Sequence, residues 1–318
     1  MSAAWSRRSF LTMTAGAALV AACSSPKPGE VAKDGSVTVK HIFGDTKIAA
    51  PPKRVVSAGF TEQDDLLAVG VVPIAVTDWF GGEPFGVWPW AQPQLGGAQP
   101  VVLSLADGIQ VDQIASLKPD LIVATDAGLD RDTYTKLTAI APTIAQSGPD
   151  AFFEPWKDQA TAIGQAVFKA DGMANLITAI DQKFNTAGKN NPQFAGKKVL
   201  LLSGTIDEGG VRVTTPGWRT DFLTNMGFTI PDTGGELVPR EKMAAVLGSA
   251  DVLIWSTQSD DQQAALLADP IVAKLRATIA NRNIFTGKDL AGAISFATTL
   301  SYPMVADQLP PRIARALA

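Results

Sequence analysis

The chain has 318 residues, 46% of them hydrophobic, enough for one or two globular domains. Its 27 basic residues face 31 acidic ones. Removing residues 1–22, whose only charges are Arg7 and Arg8, shifts the net charge from −4 to −6. With an acidic balance and no basic run, a nucleic-acid surface is excluded. One histidine and one cysteine in the whole chain exclude a His/Cys zinc or catalytic site.

Ser6-Arg7-Arg8-Ser9-Phe10-Leu11 is a twin-arginine export signal, followed by an apolar run from Leu11 to Ala22. That run is too short for a membrane span. It ends in Val20-Ala21-Ala22-Cys23, which resembles a bacterial lipobox and makes Cys23 the expected lipidation site. As the sole cysteine, Cys23 leaves no disulfide or thiolate metal site within the mature chain. A diacyl-type anchor supplies the several acyl chains that stable attachment needs. Residues 1–22 are therefore read as a signal peptide and 23–36 as a flexible tether.

Thr38–Phe43 and Lys47–Ala49 alternate around Gly44-Asp45, a hairpin signal. His41 sits in the first of these strands, where a structural role outweighs a ligand role. Val55–Ser57 is a short buried strand, and Thr61 N-caps a helix with Glu62, Asp64 and Asp65 in its first turn, favouring the dipole. The helix ends at Gly70, and Val71–Val76 is the next strand. A Gly/Pro-rich loop then carries Trp79, Phe80, Phe85, Trp88 and Trp90. Exposed indoles on a loop need a reason. They form either an aromatic wall for a bulky ligand, the function expected here, or a mini-core. Helices at Val111–Leu117 and Asp130–Ala139 flank a strand at Leu121–Ala124, whose end presents Asp126. In open α/β sheets ligands sit off such ends.

Met173, Leu176, Ile177, Ile180 and Phe184 recur at helical spacing. The segment Asp171–Ala187, with Gly188 as C-cap, predicts a helix of roughly 25 Å. It reads as a strut between two α/β halves. In the second half, strands are expected at Val199–Leu202, Val211–Thr214, Asp251–Trp255 and Ile284–Thr286. Helices are expected from Thr215 as N-cap with Pro216 behind it, and over Arg240–Leu247. A terminal helix starts at Leu300 and is broken at Pro310-Pro311. Lys-Pro-Asp-Leu-Ile-Val at 118–123 is echoed by Ser-Ala-Asp-Val-Leu-Ile at 249–254. The fold class is thus α/β: two α/β lobes, 37–168 and 193–318, joined by one connecting helix at 169–192, with a ligand cleft between them. Phe60, Trp79, Phe80, Trp88, Trp90 and Asp126 are the expected ligand contacts of the first lobe, and Arg212, Trp218, Arg219, Trp255 and Tyr302 those of the second. Arg219 has a competing pairing with Asp221 or Glu236. No metal is expected to be held directly by protein side chains.

At Pro52–Val56, Leu67–Pro73, Ile114–Val123, Leu137–Thr143 and Asp251–Trp255 the chain resembles substrate-binding lipoproteins of ABC importers. The likeness is to the long-helix class that serves ferric siderophores, haem and cobalamin, and within it to the ferric-citrate-type lipoproteins of actinobacteria. It implies an extracytoplasmic protein, lipid-anchored to the outer face of the cytoplasmic membrane. No cofactor is implied; the ligand would be an iron complex delivered to a dimeric permease. It further implies docking acids on both lobes, which match Asp112, where the family usually has Glu, and Glu241. Haem or cobalamin is an alternative ligand, with Tyr302, Tyr134 and His41 the available axial groups for haem. A structural lipoprotein is the rival outside transport. Catalysis is not expected, because neither a P-loop nor a Ser-His-Asp order is present.

Overall fold

The computed structural model describes residues 29–207 and 209–318. The signal segment and Cys23 lie outside the described residues. A hairpin of β1 (Val37–His41) and β2 (Gly44–Ile48) packs Val37, Val39 and Ile48 into the first core. The first sheet follows, with β3 (Val55–Ser57), β4 (Ala75–Thr77), β5 (Val101–Leu103), β6 (Leu121–Ala124) and β7 (Thr143–Ala145). Its order is β5-β4-β3-β6-β7 and every neighbouring pair is parallel. Such strands are covered on both faces, which is why they read as short apolar runs rather than alternating ones. Helices α1 (Glu62–Ala68), α2 (Val111–Ser116), α3 (Arg131–Thr138) and α4 (Trp156–Ala166) supply the connections and cover.

The second sheet has the order β10-β9-β8-β11-β12. Its strands are β8 (Val199–Asp207), β9 (Gly210–Val213), β10 (Leu237–Pro239), β11 (Val252–Ser256) and β12 (Asn283–Phe285). Strands β8, β11 and β12 run parallel, while β9 is antiparallel to both its neighbours. In both sheets the chain order reverses about a central strand, between β3 and β6 and between β8 and β11. Ligands of open α/β sheets bind at such switch points. The Asp of the sequence echo has a physical role in each lobe. Asp120 accepts the backbone N–H groups of Lys53 and Arg54, both at 2.8 Å, and Asp251 accepts that of Lys198 at 2.9 Å. Each pins the start of one central strand to its neighbour.

Between the sheets runs α5 (Ala170–Asn190). Its apolar stripe passes from one core to the other. Met173 is buried with the first-lobe cluster, Ile180 and Phe184 with the second, and Ile177 packs against both. The helix continues past Gly188, contrary to the expected cap. A Cβ at Gly188 would lie 2.7 Å from the Met226 carbonyl oxygen, so the glycine serves close packing rather than termination. Helices α6 (Asp221–Asn225), α7 (Arg240–Gly248), α8 (Asp260–Ala268), α9 (Arg276–Ile279), α10 (Lys288–Phe296) and α11 (Ser301–Leu317) complete the second half.

Three further expectations are corrected. Helix α11 runs through Pro310 and Pro311, and its buried face of Tyr302, Val305, Leu309, Pro310 and Ile313 outweighs the lost backbone bonds. The strand after α1 begins at Ala75 instead of Val71, because the Val71 amide donates to the Leu66 carbonyl and closes the helix. Thr215 and Pro216 stay in a loop; a single 3-10 turn at Trp218–Thr220 precedes α6. Among the described residues no helix is long and apolar enough to cross a membrane.

Candidate functional site

The first-lobe wall is built at the β3/β6 switch point. The Phe60 amide donates to the Asp126 carbonyl at 3.1 Å, tying the two loops together. Phe60 stacks on Trp79 with ring centres 5.5 Å apart, and on Phe152 at 5.6 Å. Trp79 also meets Phe153 at 4.9 Å and, from the second lobe, Phe296 at 5.3 Å. Phe60, Trp79, Phe80 and Phe153 are half-buried, and Phe152 is 44% exposed. Phe153 has φ +58°, a left-handed conformation unusual for a bulky residue, and its amide is held by Asp126 Oδ1 at 2.7 Å.

Beneath this aromatic surface lie the acids of α1. Every residue from Glu62 to Leu67 is buried, so the acids read as favouring the helix dipole face the interior. Glu62 Oε1 accepts the Asp126 amide at 2.9 Å, and the Thr61 hydroxyl donates to Asp126 Oδ2 at 2.9 Å instead of capping the helix. Asp64 Oδ2 accepts Trp90 Nε1 at 2.8 Å and the Thr298 hydroxyl at 2.6 Å. Asp65 takes Gln159 Nε2 on one oxygen, and the Thr299 amide and hydroxyl on the other. Burial raises the pKa of all four carboxyls, that of Asp64 to about 7. For Asp126 the Phe153 amide, the Thr61 hydroxyl and the nearby Arg219 charge oppose the rise, and for Glu62 the Asp126 charge adds to it. Glu154, buried and bonded to Ser147, is also pushed up to about 7 by burial.

Facing them, the second lobe carries a cavity of about 520 Å³. Ser203 and Ser256, directly paired across the β8/β11 switch point, lie on its lining with Arg212, Thr214, Trp218, Arg219, Glu236 and Ser295. The Arg219 guanidinium sits 4.4 Å from the centre of the Trp218 ring and 5.0 Å from that of Phe153 across the cleft. Neither Asp221 nor Glu236 forms an ion pair with it, and no described residue accepts a hydrogen bond from it or from the exposed Arg212. Desolvation lowers the pKa of Arg219. Two arginine forks with free donors beside serine hydroxyls and aromatic rings are equipped to take an oxygen-rich anion.

Five expected contacts are placed elsewhere. Trp88 is 1% exposed: it stacks on Trp90 at 4.8 Å and meets Phe296, and a Cβ at Gly292 of the second lobe would lie 2.6 Å from its ring. Its indole plugs the contact between the lobes. Trp90 is half-buried beside it, its Nε1 committed to Asp64. Trp255 lies in the second-lobe core, donating to Asn283 at 3.1 Å, because its strand position points away from the cleft. Tyr302 is 2% exposed among Trp156, Phe184 and Phe222, and its hydroxyl is raised in pKa by burial. Asp126 lies under the wall rather than on it. His41 bonds to Thr46 at 2.9 Å and packs on Tyr134, which stacks on Phe43, so both serve the hairpin. Phe152 and Phe153 escaped the sequence reading. Their one signal is an adjacent aromatic pair in a Gly/Pro/Asp-bounded loop, as at Trp79-Phe80. Asp112 and Glu241 stand exposed in the first turns of α2 and α7. Among the described residues no cluster of three or more His, Cys, Asp or Glu side chains is arranged to hold a metal ion.

Two sheet-bearing lobes, the helix α5 between them and a polar–aromatic cleft at their switch points define a solute-binding protein. The chain belongs to the periplasmic binding protein family, whose profile matches residues 55–290. It is similar to a periplasmic solute binding protein of Mycobacterium smegmatis of known crystal structure, at 69% identity and a TM-score of 0.88, covering 90% of this chain and 100% of the other. Two Bacillus subtilis (strain 168) relatives extend the likeness. The "Probable siderophore-binding lipoprotein YfiY" is 28% identical over 257 residues, 79% of this chain and 73% of its own. The "Fe(3+)-citrate-binding protein YfmC" is 24% identical over 217 residues, 66% of each.

Proposed function

We propose that this protein captures a ferric siderophore or related iron complex outside the cytoplasm and delivers it to the permease of an ABC importer. The observation that carries the reading is the pair of unpartnered arginines, Arg212 and Arg219, on a cavity facing an aromatic wall. Such a surface suits a ligand that is anionic, rich in oxygen and large enough to touch both lobes, with its iron already chelated. The names of the two Bacillus relatives point the same way. Haem is disfavoured, since His41, Tyr134 and Tyr302 are all engaged or buried away from the cleft. The ligand wall of the first lobe is assigned to Phe60, Trp79, Phe80, Phe152 and Phe153. Lipidation at Cys23 would tether the protein to the outer face of the cytoplasmic membrane, and Asp112 and Glu241 would meet arginines of the permease dimer. The test is a tryptophan-emission titration with ferric citrate, a neutral ferric hydroxamate and haem. Quenching by the anionic ferric complex at the lowest concentration is expected; saturation by haem alone, with a shifted Soret band, would overturn the iron-chelate reading.

A further inference from the structure

The acids Asp64 and Asp65 do not touch the cavity, yet all their hydrogen bonds run to the parts that frame it. Asp64 holds Trp90 of the aromatic loop and Thr298 of the turn between α10 and α11 in the second lobe. Asp65 holds Thr299 of that same turn through two bonds, and Gln159 of α4. These carboxyls and both threonines are at most 2% exposed. Bonds of this kind, shielded from water and made to adjacent carboxyls, restrict geometry more than surface contacts do. The packing then continues outward: Trp90 stacks on Trp88, Trp88 meets Phe296 at 5.8 Å, and Phe296 meets Trp79 on the wall.

We propose that Asp64 and Asp65 are positioning residues for ligand capture, clasping the second lobe to the first so that the cleft has one resting width and Trp79 one place on its wall. The inference rests on the cleft being the ligand site. One end of the lobe contact is fixed by this clasp and by Lys288, whose Nζ reaches Glu83 at 2.7 Å and the Gly81 carbonyl at 2.9 Å. The stacking of Arg219 on Phe153 has no such bonds. Opening therefore occurs at the Arg219–Phe153 side while the clasp end stays closed.

The experiment uses the full chain with Cys23→Ala and spin labels at the exposed positions Lys136→Cys on α3 and Ala264→Cys on α8. Electron–electron distance distributions are read without ligand. Ligand dissociation is read separately by stopped-flow emission with ferric citrate. The parent should give one narrow distance. Thr298→Val with Thr299→Val, which keeps side-chain size and removes both hydroxyls, should broaden it and speed dissociation about tenfold, as expected for losing hydrogen bonds to carboxyls. Thr298→Ser with Thr299→Ser should restore both, a rescue that a general packing defect would not show. Should the valine pair fail to fold, the single Thr298→Val variant leaves the Thr299 bonds in place and is read the same way at smaller amplitude. A folded valine variant with the parent's distance distribution overturns the clasp. A parent that binds no ferric complex sinks the proposed function but leaves the distance measurement decisive for the clasp.

Discussion

The two walls of the cleft handle charge in opposite ways. The first-lobe wall is aromatic at its surface and acidic underneath. Glu62, Asp64, Asp65 and Asp126 are buried, and their hydrogen bonds come from hydroxyls, an indole, an amide side chain and backbone N–H groups, with no lysine or arginine among the donors. The second-lobe wall leaves Arg212 and Arg219 without an ion-pair partner among the described residues, on an open cavity that Glu236 also lines. Burial favours the neutral form of a carboxyl. The first lobe's acids therefore cancel less of the arginines' field than their number implies, which is what the proposed anionic ligand requires. Shape comes from one lobe and charge from the other.

The comparison breaks most sharply at tryptophan. If Trp88 belongs to the lobe contact and Trp79 to the wall, then Trp88→Ala should cost about 3–5 kcal/mol of stability, the usual range for emptying a buried aromatic site. Urea unfolding measures it. Trp79→Ala should move the midpoint far less but weaken ligand binding. The reverse pattern would exchange the two assignments.

A second test concerns the buried acids and has an unusual sign. A carboxyl whose folded pKa is raised stabilises the protein fully below its unfolded pKa, and that stability is lost as pH rises through the folded value. For Asp64 the window runs from its ordinary value of 3.8 to about 7, and for Glu154 from 4.5 to about 7. Unfolding free energy should therefore rise as pH falls from 8 to 5.5, by up to about 1.4 kcal/mol per pH unit for each proton taken up, and the melting temperature with it. Asp130 and Asp269, whose pKa values are lowered by backbone and side-chain donors, titrate below this window and do not reverse it. Asp64→Asn should flatten the slope. A stability that falls steadily from pH 8 to 5.5 would mean that these acids are ionised in the fold.

On the opposite wall, Arg219→Ala should weaken an anionic ferric complex roughly tenfold to a hundredfold, the range for hydrogen bonds to a charged group. Its melting temperature should change little, since no hydrogen bond or ion pair among the described residues depends on the guanidinium. A neutral ferric hydroxamate titrated in parallel should lose less. Equal losses for both ligands would assign Arg219 to stacking rather than charge recognition.

The same contrast separates what was legible in the sequence from what was not. The strut helix showed because its stripe repeats at 3.6 residues, whichever core each residue enters. The central strands showed because they are uninterrupted apolar runs behind Asp120 and Asp251. The acids of α1 showed as a helix start but not as buried groups, because the donors that make their burial tolerable, Trp90, Gln159 and the threonines some 234 residues later, are neighbours only in space. Trp88 and Trp79 share one loop and one composition. Which indole faces inward depends on Gly292, a neighbour in space that no local pattern specifies. Pro310 and Pro311 broke a local rule that tertiary packing overrode.

The smallest expected effect lies on the outside, where the two lobes are alike. Asp112 on α2 and Glu241 on α7 each occupy the first turn of a helix that leads into a central strand, β6 or β11. Both are exposed, and among the described residues no hydrogen bond or ion pair engages either side chain. Their favourable setting at a helix N-terminus is worth a few tenths of a kcal/mol to about 1 kcal/mol. Removing either should thus shift stability by less than about 1 kcal/mol and leave ligand titrations unchanged. If the acids meet permease arginines, two separated exposed pairs, each worth about 1 kcal/mol or less, mainly set orientation and registry. Asp112→Ala with Glu241→Ala should then slow import of the iron complex in cells more than either single change, at equal protein level. Glu241→Ala should have the larger single effect, because its longer side chain reaches further. Because such contacts are screened by salt, the deficit should narrow as ionic strength rises in reconstituted vesicles. Normal import by the double variant would leave both acids as helix-start residues and nothing more.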